Sequence, residues 1–135
     1  MDRHLFKKFI YINEISFFLG WTFILLLGAD KPPPHGFIYV VLLIIFLDGI
    51  QYLYLKSFLP NLYKVTDKRL FFKNIIIFTI VGLVLGLLVL IINYNRLFGM
   101  GIFNISIWLF VLSLVGLLYS IWFYIFNSIL IYFIK

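Results

Sequence analysis

The sequence predicts an all-α integral membrane protein, a bundle of four transmembrane helices with both termini in the cytoplasm. Its composition, four long apolar runs and the distribution of its basic residues predict this class. Hydrophobic residues make up 64% of the 135 residues and charged residues 12%, about half the charged share of a soluble domain. A chain this small cannot hide so much apolar surface from water. We therefore expect a single domain that lies in lipid.

Four apolar runs are each long enough to cross a membrane. A transmembrane helix needs about 20 mostly apolar residues to span a hydrocarbon core of ~30 Å. Backbone polar groups must be paired in lipid, so each run is expected to be helical. The runs cover residues 9–28, 37–55, 74–92 and 102–134. The fourth is longer than the core requires, so either its ends project into the interface or it breaks near Asn127.

The segments between the runs contain residues that end helices. Residues 29–36 read ADKPPPHG, and the three prolines predict a short rigid turn between helices 1 and 2. Residues 93–101 read NYNRLFGMG, which is typical of a turn between helices 3 and 4. Residues 56–73, with Pro60 and Asn61, are predicted to form the one substantial loop.

The basic residues predict the orientation. Cytoplasmic segments of membrane proteins carry an excess of Lys and Arg. Two basic residues, Lys31 and Arg96, lie on one side of a four-helix topology, and nine lie on the other. The nine are Arg3, Lys7, Lys8, Lys56, Lys64, Lys68, Arg69, Lys73 and Lys135. We therefore expect both termini and the middle loop to be cytoplasmic. The Ile, Phe, Asn, Lys and Tyr bias suits an AT-rich genome, and we expect a bacterial plasma membrane.

The middle loop mixes basic residues with Leu, Tyr and Phe. Basic residues next to a membrane are attracted to anionic lipid, at about 1 kcal/mol each. This predicts contact with the anionic inner leaflet by Lys64, Lys68, Arg69 and Lys73. Because topology accounts for the net charge of +6, we expect no nucleic-acid partner.

Two acidic residues, Glu14 and Asp48, fall inside the predicted helices. An ionised carboxylate in the middle of a transmembrane helix costs at least ~3 kcal/mol on insertion scales. Neither Lys nor Arg occurs within the four runs, so no ion pair inside the membrane is expected. Protonation, hydrogen bonding or a water-filled cavity remain as ways to keep such groups in the membrane.

Depth along the helices groups these acids with other polar residues. Counted from the cytoplasmic ends, Glu14, Gln51, Thr79 and Asn127 fall at one level, with Asp48 one turn deeper. One interpretation is a polar pocket that handles protons or cations. The other is hydrogen bonding that holds helices together. The predicted pocket consists of Glu14, Asp48, Gln51, Thr79, Ser120 and Asn127.

Small residues form a second pattern, on helices 3 and 4. Gly82 and Gly86 form a GxxxG pair, which lets helices approach closely. Helix 4 carries a stripe at seven-residue spacing that Gly116 joins, formed by Ser106, Ser113, Ser120 and Asn127. The residues Gly82, Gly86, Ser113 and Gly116 are therefore predicted to serve packing within the bundle or to form a face for a partner helix.

No catalytic pattern is recognised. His4 and His35 are predicted on opposite sides of the membrane, so they cannot share a metal site or a triad. The sequence has no Cys, and no HExxH, GxSxG or phosphate-binding glycine loop. We expect no enzymatic activity, no metal and no cofactor.

Four helices, a short chain and an acid at position 14 resemble the small multidrug-resistance transporters. The segment YINEISFFLGW departs from the first helix of that family, the chain is longer and poorer in Ala and Gly, and its middle loop is longer. The chain is also similar in type, without a shared motif, to small basic four-helix immunity proteins of low-GC Gram-positive bacteria. No family is identified on this basis.

Two functions stay open at this stage. The first is a non-catalytic accessory, regulatory or immunity-type protein that binds a membrane-protein partner or a membrane-active peptide. The second is a small oligomeric transporter coupled to protons or cations, in which Glu14 or Asp48 is the titrating group. The unpaired acids favour transport, whereas the lack of a catalytic set and the small-residue stripes favour helix contacts.

Overall fold

The computed structural model describes residues 1–27, 37–64, 68–92 and 101–134. Each of these ranges holds one helix, and none of them contains a strand. The helices are α1 (Arg3–Leu27), α2 (Phe37–Lys64), α3 (Lys68–Ile92) and α4 (Gly101–Ile134). The all-helical class is therefore confirmed. The turn predicted at 29–36, and residues 93–100 of the other predicted turn, lie outside the described residues.

Three of the helices are long and apolar enough to cross a membrane. The candidate spans are Val41–Lys64 in α2, Lys68–Leu88 in α3 and Gly101–Ile134 in α4. Helices of this length and composition are stable in the hydrocarbon core of a bilayer. A helical membrane protein is thus the class that the fold defines. Membrane crossing by α1 and the side on which the termini lie stay predictions.

The chain divides into two compact units. The N-terminal unit is Met1–Lys64 and holds α1 and α2, whereas the C-terminal unit is Val65–Lys135 and holds α3 and α4. In each unit the two helices pack against one another in antiparallel orientation. The prediction of one four-helix domain stays a prediction.

The long loop predicted at 56–73 is wrong. Helix α2 continues to Lys64, and α3 already begins at Lys68. The loop is predicted from residues that disfavour helices, such as Pro60, but Pro60 lies inside α2. A proline removes one backbone hydrogen bond and costs about 3 kcal/mol in a helix interior.

Burial on both sides of Pro60 offsets that cost. Leu55, Phe58, Leu59 and Leu62 are all less than 5% exposed. Burying one such side chain contributes about 1.5–3 kcal/mol, so four of them outweigh one missing hydrogen bond. The side chain of Asn61 also stays within the helix, where its Nδ2 donates to the carbonyl oxygen of Ser57 at 2.9 Å.

Two other helix bounds differ from the prediction for a common reason. Helix α1 begins at Arg3 instead of Phe9, and its first turn is closed by the N–H of Phe6 donating to the carbonyl of Asp2 at 3.0 Å. Helix α3 begins at Lys68 instead of Asn74. The predicted ranges covered only the apolar residues that lipid requires. Lys and Arg are good helix formers, so the helices continue past the apolar stretch.

Helix α4 is one continuous helix of 34 residues. At 1.5 Å per residue it is about 51 Å long, so both ends can extend past a hydrocarbon core. No break occurs near Asn127. Its side-chain Nδ2 donates to the carbonyl oxygen of Phe123 one turn earlier, at 3.0 Å, which keeps the amide paired without interrupting the helix.

Candidate functional site

The interface of the N-terminal unit is built from regularly spaced side chains. On α1 the buried residues Phe9, Asn13 and Phe17 recur every four positions, which places them on one face. The buried face of α2 carries Ile44, Gln51, Leu55, Phe58, Leu59 and Leu62. Each helix therefore contributes one polar amide to an otherwise apolar interface.

These two amides connect α1 to α2. The Nε2 of Gln51 donates to the backbone carbonyl of Asn13 at 3.5 Å, and the Nδ2 of Asn13 donates to the carbonyl of Phe9 at 2.9 Å. Asn13 is 3% exposed and Gln51 5%. The bond places Gln51 next to the turn that carries Glu14. Asn13 was missed by sequence reasoning, although an Asn inside an apolar run was the available signal.

The two acids of the predicted pocket lie in the same unit. Asp48 is half-buried, between Ile44 and Gln51 on α2, and its Oδ1 is buried with no hydrogen-bond partner among the described residues. Glu14 is also half-buried and follows Asn13, whose carbonyl accepts from Gln51 one turn beyond Asp48 on α2. A buried carboxylate oxygen without a partner is unfavourable. In the described part of the N-terminal unit, the hydroxyl of Thr22 is also buried without a partner, but Asp48 is the acidic group among the two.

A buried hydrogen-bonded pair joins α3 to α4 in the C-terminal unit. The Nδ2 of Asn74 donates to both the backbone carbonyl and the Oγ of Ser120, each at 3.0 Å. Both residues are 0% exposed. Ser120 belongs to the predicted pocket, whereas Asn74 had been taken only as the first residue of an apolar run. Asn74 follows Lys73 directly, so the prediction places it at the start of the helix. In the structure α3 begins six residues before Asn74, at Lys68, and Asn74 lies within the helix.

The glycines of α3 and α4 face each other at a close crossing. A Cβ on Gly82 would lie 2.5 Å from the carbonyl oxygen of Leu112 and 3.4 Å from the Cα of Gly116. A Cβ on Gly116 would clash with the carbonyl oxygen of Phe78. One turn along, a Cβ on Gly86 would lie 3.0 Å from a side-chain carbon of Leu112. The glycine face of α3 and α4 is therefore buried between these two helices.

Aromatic side chains pack beside these polar and small contacts. The ring of Phe78 lies 5.4 Å from that of Tyr119 and 5.1 Å from that of Phe123, and Phe71 meets Tyr124 edge-on at 5.0 Å. Aromatic pairs in tilted or edge-on geometry add about 0.5–1.5 kcal/mol beyond their burial. They fix the same antiparallel register as the bond from Asn74.

That register separates two residues of the predicted polar layer. Contacts such as Asn74 with Ser120 and Phe71 with Tyr124 align Thr79 with about residue 117 of α4. At 1.5 Å per residue, Asn127 then lies about 15 Å further along the axis. Thr79 and Asn127 therefore do not share a level. The Oγ1 of Thr79 is buried with no hydrogen-bond partner in the described ranges.

The stripe of Ser106, Ser113, Ser120 and Asn127 on α4 becomes more buried along the helix. Ser106 is exposed and Ser113 is half-buried, and the hydroxyl of each donates at 2.9 Å to a carbonyl of its own helix. Ser120 and Asn127 are fully buried. Ser120 bonds to α3 through Asn74, whereas the amide of Asn127 bonds to a carbonyl of its own helix.

The residues predicted to contact lipid lie at helix ends. Lys64 ends α2, and Lys68, Arg69 and Lys73 belong to the first two turns of α3. All four side chains are exposed. Positions at the ends of apolar helices are those at which basic side chains reach lipid headgroups.

The described residues contain no group of three or more His, Asp or Glu side chains that could hold a metal ion. What they do contain is two helix interfaces with buried amides, closely packed glycines and one unsatisfied carboxyl oxygen. Comparison of this chain with known protein families, with curated proteins and with solved structures gives no match. The functional argument therefore rests on the sequence and on this geometry.

Proposed function

We propose that this chain is a non-catalytic membrane protein of accessory, regulatory or immunity type, which acts by binding another membrane protein or a membrane-active peptide. All four helices cross the bacterial plasma membrane, and both termini lie in the cytoplasm. The nine-to-two distribution of basic residues supports this orientation. The antiparallel packing of α1 on α2 supports a membrane crossing by α1.

One observation carries this proposal. Buried polar side chains form hydrogen bonds between helices, as Asn74 does with Ser120 and Gln51 with the carbonyl of Asn13. Interhelical hydrogen bonds of this kind stabilise helix association in membranes. Side chains that hold helices together in this way are typical of a protein with a fixed structure that binds a partner. They favour this function over ion transport past the same side chains.

The outer surface is consistent with a binding role. Large apolar side chains are exposed along α4, among them Phe103, Phe110, Leu118, Trp122 and Phe133. In a membrane such side chains face either lipid or the helices of another protein. The glycine face of α3 and α4 is already occupied, so a partner would bind elsewhere on the helices.

Transport is the second candidate, and one observation favours it. The buried Oδ1 of Asp48 has no hydrogen-bond partner among the described residues, and Glu14 follows Asn13, which accepts a hydrogen bond from Gln51 one turn beyond Asp48. Ionisable residues inside membranes commonly belong to proton and cation pathways. In this alternative an oligomer of the chain carries protons or cations, and Asp48 or Glu14 binds them.

The experiment that tests the proposal is affinity purification from the native membrane in mild detergent, followed by the mass and composition of the intact particle. The proposal predicts a second protein or peptide in stoichiometric amount. Asp48→Asn should leave that complex intact. A particle that contains only copies of this chain would contradict the proposal and favour transport.

A further inference from the structure

A cavity of about 350 Å³ opens where α1 begins and α2 ends. Arg3 and Phe6 line it from α1, and Pro60, Tyr63 and Lys64 line it from α2, together with Met1. Arg3 and Lys64 are exposed, so two cationic groups border a space with apolar and aromatic walls. The cavity exists because α2 continues through Pro60. A helix that ended at Leu55 would leave no second wall.

With the apolar run 37–55 in the hydrocarbon core, as the sequence predicts, the cavity would lie at the depth of lipid headgroups. Helix α2 has 28 residues and is about 42 Å long, whereas the hydrocarbon core is about 30 Å thick. If residues 37–55 fill the core, Pro60 and Lys64 lie about 8–13 Å beyond it. On α1, Arg3 precedes the apolar stretch that starts at Phe9 by about 9 Å. Both walls of the cavity therefore extend into the same interfacial layer.

The lining has the chemistry of a phosphate site beside an apolar surface. A guanidinium binds phosphate through two parallel hydrogen bonds, and an ammonium adds a compact positive charge. Among the residues that the structure describes, neither Asp nor Glu lines the cavity. Phe6, Pro60 and the ring of Tyr63 offer apolar contact for the glycerol and upper acyl region of a lipid.

We propose that this cavity binds the phosphate headgroup of an anionic phospholipid, held between Arg3 and Lys64. A soluble phosphate compound carries the same group, but the end of a membrane span presents the site to lipid. Bound in this way, one lipid molecule fastens the first turn of α1 to the last turn of α2. This proposal holds whether or not the chain has a protein partner.

The test is native mass spectrometry of the full chain in a neutral detergent, titrated with phosphatidylglycerol or with zwitterionic phosphatidylcholine. Three proteins are compared: the unaltered chain, the double variant R3Q/K64Q and the control K7Q/K8Q. The control removes the same charge from exposed α1 residues that do not line the cavity. All substituted side chains are exposed, so folding should be retained, which circular dichroism checks.

We expect one tightly bound phosphatidylglycerol on the unaltered chain and weaker binding of phosphatidylcholine. R3Q/K64Q should weaken phosphatidylglycerol binding at least about tenfold, because it removes both charged groups that line the cavity, and one hydrogen bond to a charged group contributes about a tenfold factor or more. K7Q/K8Q should change it less than about threefold, because both side chains are exposed and neither lines the cavity. Equal losses in both double variants would show general charge attraction and overturn the proposal, as would no loss in R3Q/K64Q.

A second measurement does not depend on any variant. The unaltered chain is crosslinked to a photoactivatable phosphatidylglycerol, and the labelled peptides are identified. The proposal expects label on residues 1–8 and 56–64, resistant to millimolar inorganic phosphate. Label elsewhere, or displacement by inorganic phosphate at that concentration, would overturn the assignment to a lipid headgroup.

Discussion

Gly82 and Gly116 lie face to face where α3 crosses α4, so close that neither position has room for a methyl group. A Cβ on Gly82 would stand 3.4 Å from the Cα of Gly116, and the nearer obstacle to each methyl group is backbone, which cannot rotate away. Close approach of this kind lets two helices gain packing contacts that lipid cannot supply. The crossing therefore determines how tightly the C-terminal unit packs.

Gly82→Ala should destabilise the C-terminal unit. Alanine normally favours a helix over glycine by about 1 kcal/mol, but here its methyl group would lie 2.5 Å from the carbonyl oxygen of Leu112. Overpacking costs about 1–3 kcal/mol, and the upper half of that range applies because the obstacle is backbone. Less the gain in helix propensity, we expect a net loss of about 1–2 kcal/mol. Reversible unfolding in mixed micelles measures it, with the fluorescence of Trp108 and Trp122 reporting on α4.

The matched control is Gly20→Ala in α1. A Cβ at Gly20 meets nothing within 4 Å, so this change should leave stability equal or slightly higher. If Gly82→Ala were as well tolerated as Gly20→Ala, the close crossing of α3 and α4 would be disproved.

The pair Asn74 and Ser120 should be energetically coupled. A double-mutant cycle with Asn74→Ala and Ser120→Ala should give a coupling energy of about 0.5–1.5 kcal/mol, the range measured for interhelical hydrogen bonds in membranes. Ser106→Ala is the control, because that hydroxyl is exposed and bonds only to its own helix. Strict additivity of Asn74→Ala with Ser120→Ala would mean that the side-chain hydrogen bond contributes nothing.

Pro60→Ala should stabilise the N-terminal unit. Alanine restores the N–H that can donate to the carbonyl of Lys56 and removes the clash of the proline ring with the preceding turn. We expect a gain of about 1–2 kcal/mol, reduced from the full interior value because Pro60 lies near the helix end. Ser57→Ala, an exposed position one turn earlier, should change stability by only a few tenths of a kcal/mol. A loss of stability in Pro60→Ala would show that α2 ends before residue 60.

The membrane topology can be tested with single cysteines, because the chain has none of its own. Asp2→Cys and Asn61→Cys lie at the same end of the antiparallel pair α1 and α2. Both should react with a membrane-impermeant thiol reagent only after the cytoplasmic face is opened. Lys31→Cys, in the predicted turn between the first two helices, should react in intact cells. Labelling of Asp2→Cys and Lys31→Cys from one side would show that α1 does not cross.

The helices could be predicted because lipid imposes a simple rule: a long apolar run must pair its own backbone and therefore forms a helix. The helix ends could not, because that rule applies only within the apolar stretch. Charged residues such as Lys68 continue a helix outside it. Pro60 misled the prediction for the same reason, since the burial of Leu59 and Leu62 that offsets it depends on the partner helix.

The relative level of polar residues could be predicted in the N-terminal unit because the errors in the two helix bounds, six residues for α1 and nine for α2, nearly cancel. In the N-terminal unit the count placed Gln51 level with Glu14, and the structure bonds Gln51 to the neighbouring Asn13. In the C-terminal unit the count started at Asn74 instead of Lys68, and Thr79 and Asn127 are far apart along the axis. Which faces of α3 and α4 meet depends on the crossing at Gly82, which apolar run length alone does not encode.

The most direct test of the central claim, that polar residues in the spans hold helices and do not carry ions, is proton flux in proteoliposomes under a pH gradient. The account predicts that the unaltered chain, Asp48→Asn and Asp2→Asn all show the background flux of empty vesicles. Asp2→Asn is the matched control, because it makes the same change at an exposed position before α1. Flux that the unaltered chain and Asp2→Asn support and Asp48→Asn abolishes would contradict the account and establish the transporter.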